Sequence, residues 1–315
     1  MPTSPISSPD RRGRAIVVGY GSIGQRHARL LDAAGCDTMV VSARENGDFF
    51  TVRTVEDAID RDPSTYVVVA NETARHRETV DRLIAGGFAG TVLVEKPIFD
   101  TARPAAVNEF RRLLVAYNLR FHPVLMRLRE LLAGEEAVSA SVYIGQYLPD
   151  WRPGTDYRLS YSAHRAAGGG VLRDLSHDLD YTLWLFGRWK RVAAIGGQLS
   201  TLEVDSDDVF ALLMRTERCP VVTLQLSYLD RMPRRQVVVN TQRHTFAADL
   251  IAGTIVVDGV IEKFAIDRDT TYRAMHDAIL DGDMGTVCDV DAALEVLILV
   301  EGAERAATDG NWIDR

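Results

Sequence analysis

The sequence predicts an α/β protein with an N-terminal Rossmann doubly wound parallel sheet and a C-terminal α+β domain containing a large, mostly antiparallel open sheet. Three observations support this prediction. Up to about residue 120, short apolar strands alternate with helical stretches, as a parallel sheet covered on both faces requires. A glycine-rich turn follows the first strand. From about residue 137, strand-like runs follow one another with few helices between them.

The order of elements follows from apolar periodicity and turn residues. In the N-terminal part we expect strands at 14–20, 36–44, 65–71, 91–97 and 115–121, and helices at 24–35, 54–62, 73–87 and 101–114. In the C-terminal part we expect strands at 137–147, 191–200, 207–216, 220–229, 235–242 and 254–259, and a final helix at 289–307. The sequence thus predicts a flexible leader (1–13), a dinucleotide-binding domain (14–120) and an α+β substrate-binding and oligomerisation domain (121–315).

Composition excludes several classes of function. The chain has 315 residues, 46% of them hydrophobic, and a formal net charge of −8. A net negative charge argues against nucleic acid or an anionic membrane as a partner. No apolar run approaches the roughly 18 residues of a membrane span, and the leader lacks a secretory h-region. Three widely spaced cysteines predict a reduced, cytoplasmic protein without structural zinc.

The first turn carries the spacing GxGxxG at Gly19, Gly21 and Gly24, directly after a strand and at the start of a helix. The first glycine permits the tight turn, the second lets a pyrophosphate approach, and the third lets helix and strand pack closely. The helix N-terminus, with Ser22 and Ile23, offers N–H groups to the anion. A glycine-rich turn without a ligand is the alternative interpretation.

The second strand bears on the choice of cofactor. An acidic residue near its end would bind the ribose 2′-hydroxyl of NAD, but the strand ends with Ser42 and Arg44, which suit a 2′-phosphate. NADP(H) is therefore favoured and NAD(H) stays open, since Glu45 is adjacent. An Arg44 side chain that is merely solvated is the other alternative.

A lysine follows the fourth apolar strand of the first domain. Glu95, Lys96 and Pro97 stand at the carboxyl end of this strand, where open α/β sheets bind ligands. Lysine is rarely buried without a partner, and beside a nicotinamide it can hydrogen-bond the substrate oxygen during hydride transfer. A strand-end lysine that reaches solvent is the alternative.

The segment 168–187, GGGVLRDLSHDLDYTLWLFG, is an apolar helix that contains an acid and a histidine. Its leucines form one stripe, while Asp174, His177 and Tyr181 fall on the opposite side. This pattern predicts a cleft wall in which Asp174 orients His177, which exchanges a proton. A core histidine next to an acid near the helix dipole is the alternative. No third ligand has suitable spacing, so no metal site is predicted.

These motifs together resemble the Gfo/Idh/MocA family, the relatives of glucose–fructose oxidoreductase and inositol dehydrogenase. The resemblance covers most of the chain and rests on five stretches: GYGSIGQRHARLL, ANETARH, LVEKP, VAYNLRFHP and GGGVLRDLSHDLDYTLWLFG. It implies a Rossmann domain and an α+β domain whose open sheet face makes oligomer contacts. A homodimer or homotetramer through the C-terminal sheet is therefore expected.

The resemblance also implies roles for individual residues. Lys96 matches the catalytic lysine of the family, and Asp174 and His177 match its aspartate and its proton-accepting histidine, although here three positions instead of four separate them. Both intervals keep the pair on one helical face. Residues on the dinucleotide side are Asn71, Glu72, His76, Glu95 and Pro97, and residues at the hinge between the domains are Asn118, Arg120 and His122.

The segment 146–165 lies between a strand and the Asp/His helix and is rich in aromatic and basic side chains. Such side chains stack on a sugar or base and pair with a carboxylate or phosphate. Together with Arg120, the candidate substrate-binding residues are Gln146, Trp151, Arg152, Tyr157, Arg158, Tyr161 and Arg165. A surface loop that packs on its own tryptophan is the alternative.

The sequence as a whole predicts an NAD(P)-dependent oxidoreductase. We expect it to move a hydride between the nicotinamide and a secondary alcohol or ketone of a sugar, nucleotide sugar, aminosugar or cyclitol. Two alternatives stay open: a glycosidase that recycles a bound dinucleotide, and a non-catalytic dinucleotide-binding regulator. The retention of Lys96, Asp174 and His177 argues against the regulator.

Overall fold

The computed structural model describes residues 12–44, 47–59, 62, 64–102 and 109–315. Most of the predicted leader lies outside the described residues, as does Glu45. The described chain forms two compact units. The first comprises its residues up to Phe99 together with 109–116 and 272–290, and the second comprises residues 100–102, 117–271 and 291–315.

The first unit contains the parallel sheet that the sequence predicts. Its strands are β1 (Arg14–Val18), β2 (Asp37–Val41), β3 (Phe50–Val52), β4 (Tyr66–Val69), β5 (Thr91–Val94) and β6 (Arg112–Val115). They lie side by side in the order β6-β5-β4-β1-β2-β3, all in parallel register. The central strands are buried on both faces, which accounts for their continuous apolar sequences.

Helices and one late strand complete the first unit. The helices are α1 (Ser22–Ala33), α2 (Val55–Ala58), α3 (His76–Ala85) and most of α7 (Thr270–Asp281). A short strand, β15 (Cys288–Asp289), pairs antiparallel with β6. Residues 272–290 therefore lie in the compact unit of the dinucleotide-binding motif, although they stand more than 150 residues beyond the predicted boundary at 120. The assignment of a function to each unit stays a prediction.

One part of the predicted element order is wrong. The sequence predicts a helix over 101–114 and a strand over 115–121, but β6 already occupies Arg112–Val115 and a 3-10 helix follows at Asn118–Phe121. Residues 103–108 lie outside the described residues. The error has a physical cause, because a short apolar run such as Leu113–Val115 fits either a buried helix or a buried strand.

The second unit is built on a nine-stranded sheet. Its strands are β7 (Ala137–Gly145), β8 (Trp189–Gly197), β9 (Val209–Thr216), β10 (Val221–Ser227), β11 (Arg234–Thr241), β12 (Thr245–Asp249), β13 (Thr254–Val257), β14 (Val260–Lys263) and β16 (Ile313–Asp314). Their order is β14-β13-β12-β11-β7-β10-β9-β8-β16, and all neighbours are antiparallel except β7 and β10. Buried and exposed residues alternate along β9 and β10, as in a sheet with one covered face.

Four helices belong to this unit: α4 (Pro123–Leu131), α5 (Val171–Asp174), α6 (Ser176–Phe186) and α8 (Val290–Asp309). The helices α4, α5 and α6 pack against strands of the sheet. The stretch that the sequence presents as one helix is divided at Leu175, whose φ of −94° and ψ of 22° end α5 and begin α6. Among the described helices, none is both long enough and apolar enough to cross a lipid bilayer.

Candidate active site

The glycine turn after β1 is shaped by close backbone contacts. Gly19 has a φ of +98°, and a Cβ atom there would lie 2.6 Å from the backbone nitrogen of Asn71. A Cβ atom on Gly24 would lie 2.1 Å from the carbonyl oxygen of Gly19. Only glycine fits either position, because the clashes are with backbone that cannot move aside.

Gly21 differs from these two glycines, because a Cβ atom there would meet nothing within 4 Å. It precedes the 12-residue helix α1, whose N-terminus has no side-chain cap. Ser22 is exposed and Ile23 is half-buried. The open space at Gly21 and the uncapped N–H groups of the first helical turn suit the pyrophosphate of a dinucleotide.

Several predicted cofactor residues lie at the same edge of the parallel sheet as this turn. The backbone N–H of Gly19 donates to the oxygen of Val41 at the end of β2, and the N–H of Ala70 donates to Val18 at the end of β1. The N–H of Glu95 in turn donates to Val69 at the end of β4. The ends of β1, β2, β4 and β5 are therefore level, as expected at a ligand-binding edge of an open α/β sheet.

Ser42 and Arg44 follow β2 at this edge. The Arg44 side chain is exposed, and its backbone N–H donates to Oγ of Ser42 at 3.1 Å. Ser42 is half-buried and Arg44 is exposed, so both residues are open to a ligand at this edge of the sheet.

The loop after β4 is connected to the loop after β5 by His76. Its imidazole is buried, with Nε2 at 3.1 Å from the oxygen of Asn71 and Nδ1 at 3.1 Å from the oxygen of Pro97. Burial lowers the pKa of His76. The Asn71 side chain donates to Oγ1 of Thr79, while Glu72 is exposed beside Arg75. His76 therefore contacts backbone oxygens of both loops. Its predicted role in cofactor binding stays a prediction.

Glu95 and Lys96 occupy the end of β5. The Glu95 side chain is 7% exposed, and its Oε2 accepts the backbone N–H of Lys96 at 2.9 Å. Its Oε1 lies 2.9 Å from Nε2 of His27, on α1. Burial acts to raise the pKa of Glu95, but the hydrogen bonds from His27 and Lys96 outweigh it, and the pKa is lowered. The Lys96 side chain is half-buried, so its ammonium group can reach a ligand.

In the second unit, Asp174 ends α5 and is 7% exposed. Its Oδ2 accepts the hydroxyl of Tyr228 at 2.6 Å. Burial and the Asp174 carboxylate raise the pKa of Tyr228 well above its usual value, so this phenol remains a donor. Burial of its hydroxyl and the same carboxylate also raise the pKa of Tyr161. Two tyrosines therefore surround Asp174, and the sequence analysis did not anticipate Tyr228.

His177 lies in the first turn of α6 and is half-buried. Its ring meets that of Tyr117 edge to face, with centroids 5.6 Å apart. The Nδ1 atom is enclosed by protein. The predicted orientation of His177 by Asp174 stays a prediction.

The remaining acids of α6 form buried ion pairs. Asp180 accepts two hydrogen bonds from Arg120, at 2.9 and 2.6 Å, and both side chains are buried. Asp178 is fully buried and lies 3.1 Å from Nε of Arg235, on β11. Arg120 was predicted to bind substrate, but its guanidinium is bidentate with Asp180. Leaving either carboxylate unpaired would be strongly destabilising.

The hinge residues of the prediction lie within the second unit. Asn118 donates to Oγ1 of Thr271 at 2.6 Å, and Nε2 of His122 is 3.1 Å from the oxygen of Leu250. Burial lowers the pKa of His122 to about 4. Both side chains therefore make buried contacts that fix the start of this unit.

The loop 146–165 largely satisfies its own polar groups. Arg158 is bound by Asp156 and Glu203, and the hydroxyl of Tyr157 accepts the N–H of Glu203. Trp151 packs edge to face on Tyr228, with ring centroids 5.2 Å apart. A cavity of about 10 Å³ beneath the loop is too small for a ligand. These contacts order the loop, and the substrate-binding role of its residues stays a prediction.

Five candidate substrate residues are nevertheless accessible from solvent. Tyr161 is 44% exposed, and the others lie on the surface of the loop: Gln146, Arg152, Arg158 and Arg165. Within the described residues, no group of three or more His, Cys, Asp or Glu side chains could hold a metal ion.

Comparison with known proteins gives one family match. Residues 126–247 match the model of the GFO/IDH/MocA C-terminal domain. A comparison with proteins of curated function gave no significant match.

Solved structures match nearly the whole chain. GenD2 from gentamicin A biosynthesis, in complex with NAD, is 26% identical with a TM-score of 0.79, covering 100% of this chain and 99% of the GenD2 chain. Two more distant structures show the shared fold. The WlbA dehydrogenase from Bordetella pertussis, in complex with NADH and UDP-GlcNAcA, is 17% identical with a TM-score of 0.78 and covers 99% of both chains. Levoglucosan dehydrogenase, in complex with NADH and levoglucosan, is also 17% identical, with a TM-score of 0.79. The match covers 96% of this chain and 99% of the levoglucosan dehydrogenase chain.

The hydrogen bond between Tyr228 and Asp174 gives a testable prediction. Tyr228→Phe should lower the free energy of unfolding by about 1–3 kcal/mol, because a buried carboxylate loses its donor. Tyr143→Phe is the matched control, since its hydroxyl donates to Asp230 at a half-buried site where Arg234 also binds the acid. This control should change stability by about 0.5 kcal/mol or less. If urea denaturation gave the same loss of unfolding free energy for Tyr228→Phe and Tyr143→Phe, the Tyr228 hydroxyl would not stabilise the buried Asp174.

Proposed function

We propose that the chain is a nicotinamide-dependent oxidoreductase of the Gfo/Idh/MocA family. The match of residues 126–247 to the C-terminal domain of that family supports this proposal. The enzyme would transfer a hydride between the dinucleotide and a secondary alcohol or ketone of a sugar, nucleotide sugar, aminosugar or cyclitol. The 26% identical GenD2 structure holds NAD, which supports this class of cofactor. The three cysteines are buried thiols that form no disulfide with one another, and we propose the cytoplasmic location that the sequence predicts.

One observation carries the proposal. Lys96 stands at the same edge of the parallel sheet as the open glycine turn, since β5, β4 and β1 are neighbours whose ends are level. A cation at this edge can bind an oxygen atom that gains negative charge when a hydride leaves or arrives. A dinucleotide-binding regulator does not need such a group.

The chain's own residues would divide the chemistry as follows. A bound nicotinamide supplies the hydride acceptor or donor. Lys96 binds and orients the reacting oxygen through its ammonium group, and the backbone of this lysine is fixed by Glu95. His177 accepts the hydroxyl proton at Nε2 in the oxidative direction. Asp174, three residues before His177 at the end of α5, is held in place by the hydroxyl of Tyr228.

Lys96→Met tests the catalytic role. Hydride transfer, followed by nicotinamide absorbance with a panel of sugars, aminosugars, nucleotide sugars and cyclitols, should fall about 100-fold, as when one donor to a developing oxyanion is removed. NADH binding, measured by protein fluorescence, should change by no more than about twofold, because the glycine turn is intact.

Two variants control this experiment. Lys263→Met removes an exposed lysine from β14 and should leave turnover unchanged. Gly21→Ala should weaken NADH binding itself, since it fills the open space at the turn. Full turnover in Lys96→Met would remove the lysine from the mechanism.

For the choice of dinucleotide, we propose that Ser42 and Arg44 favour NADP(H) through a 2′-phosphate. Arg44→Ala should then raise the Kd of NADPH about tenfold, the usual effect of losing a charge-assisted hydrogen bond, and leave that of NADH unchanged. Arg111→Ala, an exposed arginine before β6, is the matched control. Tighter binding of NADH by the parent chain would refute this assignment while leaving hydride transfer in place.

We further propose that the open face of the nine-stranded sheet binds a second copy of the chain. This face has exposed apolar side chains, including Ile195 at 78% and Trp312 at 43%, around a groove of about 670 Å³. Contiguous apolar surface of this kind marks an interaction site. Ile195→Glu should convert the oligomer to monomers in sedimentation velocity, whereas Leu159→Glu, on an exposed loop, should not. A monomeric parent chain would contradict the proposal.

A further inference from the structure

Four buried titratable side chains in the first unit form a row of hydrogen bonds that begins at Glu95, next to Lys96. Tyr66 is on β4, His276 on α7, His27 on α1, and Glu95 at the end of β5. None of the four is more than 7% exposed. The roles proposed above for the active site use Glu95 and none of the other three.

Hydrogen bonds join the four side chains in a single line. The hydroxyl of Tyr66 lies 3.1 Å from Nδ1 of His276, and Nε2 of His276 lies 2.8 Å from Nδ1 of His27. Nε2 of His27 lies 2.9 Å from Oε1 of Glu95. Each ring nitrogen therefore has one neighbour, and the protons must be distributed along the line so that each pair has one donor and one acceptor.

Starting from the carboxylate, one distribution satisfies every pair while both imidazoles are neutral. Burial acts to raise the pKa of Glu95, but the hydrogen bond from His27 and the charge and backbone N–H of Lys96 lower it, so the carboxylate is ionised and Nε2 of His27 donates to it. A neutral His27 then accepts at Nδ1 from Nε2 of His276. His276 in turn accepts at Nδ1 from the hydroxyl of Tyr66, which keeps its proton because burial raises its pKa well above the usual value.

The opposite distribution leaves a buried donor without a partner. If His27 were an imidazolium, its Nδ1–H would point to His276, whose own Nδ1–H would then point to the oxygen of Tyr66. The Tyr66 hydroxyl proton would have no acceptor among the described residues, and the side chain is only 2% exposed. An unsatisfied buried hydroxyl is costly. Burial also lowers the pKa of His276 well below its usual value, so the extra proton cannot rest there.

We propose that Tyr66, His276 and His27 form a one-directional hydrogen-bond chain that keeps both imidazoles neutral and leaves Lys96 to balance the charge of Glu95. This row of hydrogen bonds ends at the buried phenol of Tyr66, so it does not conduct protons to solvent. Its function is to position Glu95, and through Glu95 the backbone of Lys96. The three residues are therefore positioning residues, and their link to turnover rests on the proposed function.

The protonation states can be measured without any substrate. The full chain labelled with ¹⁵N-histidine contains seven histidines, and long-range ¹H–¹⁵N spectra distinguish the two neutral tautomers from the imidazolium. His27→Gln and His276→Gln assign the signals. Both residues should be neutral Nε2–H tautomers at neutral pH. An imidazolium at His27, or an Nδ1–H tautomer at either residue, would overturn the proposal.

The link to Lys96 is tested by a conservative pair of variants. His276→Leu cannot donate to His27, so kcat should fall about tenfold or more while NADH binding is retained. His276→Gln keeps an amide N–H and should recover most of the lost kcat. His244 is an exposed histidine paired with Asp258, so His244→Gln should leave kcat unchanged. Equal turnover in the Leu and Gln variants, or joint loss of NADH binding, would contradict the positioning role. If the parent chain transfers no hydride, the proposed function fails, whereas the histidine tautomers still decide this inference.

Discussion

The Glu95 carboxylate is the group on which the first unit's binding edge depends. It accepts a hydrogen bond from His27 on the helix of the glycine turn and another from the backbone of Lys96. A buried carboxylate is stable only when such donors surround it. The same interaction therefore joins the helix that can bind a pyrophosphate to the lysine that can bind a reacting oxygen.

The second unit also contains buried carboxylates that need donors, and they lie along the helices α5 and α6. Asp174, Asp178 and Asp180 lie in an otherwise apolar segment, and all three are buried. A donor from a distant part of the chain meets each of them: Tyr228, Arg235 and Arg120, respectively. Buried acids with matched partners hold the helix in one orientation, and the half-buried His177 lies in the first turn of that helix.

Features that depend on local spacing could be predicted from the sequence. The glycine turn, the buried parallel strands and the lysine at the end of β5 follow from patterns of fewer than ten residues. Contacts between distant residues could not be predicted, and the pairing of His27 with His276, 249 positions apart, is the clearest case. The strand Arg112–Val115 and the break at Leu175 were missed for another reason. Apolar residues dominate both stretches, and periodicity does not distinguish a buried strand, a helix or two short helices there.

The most direct test of the account is a crystal structure of the full chain with NADH. The account predicts the pyrophosphate within hydrogen-bonding distance of the backbone N–H groups that follow Gly21, and the nicotinamide next to Lys96. The space at Gly21 would then be filled without movement of β1 or α1. A dinucleotide bound elsewhere, or a nicotinamide remote from Lys96, would contradict the claim that this edge of the sheet is the site of hydride transfer.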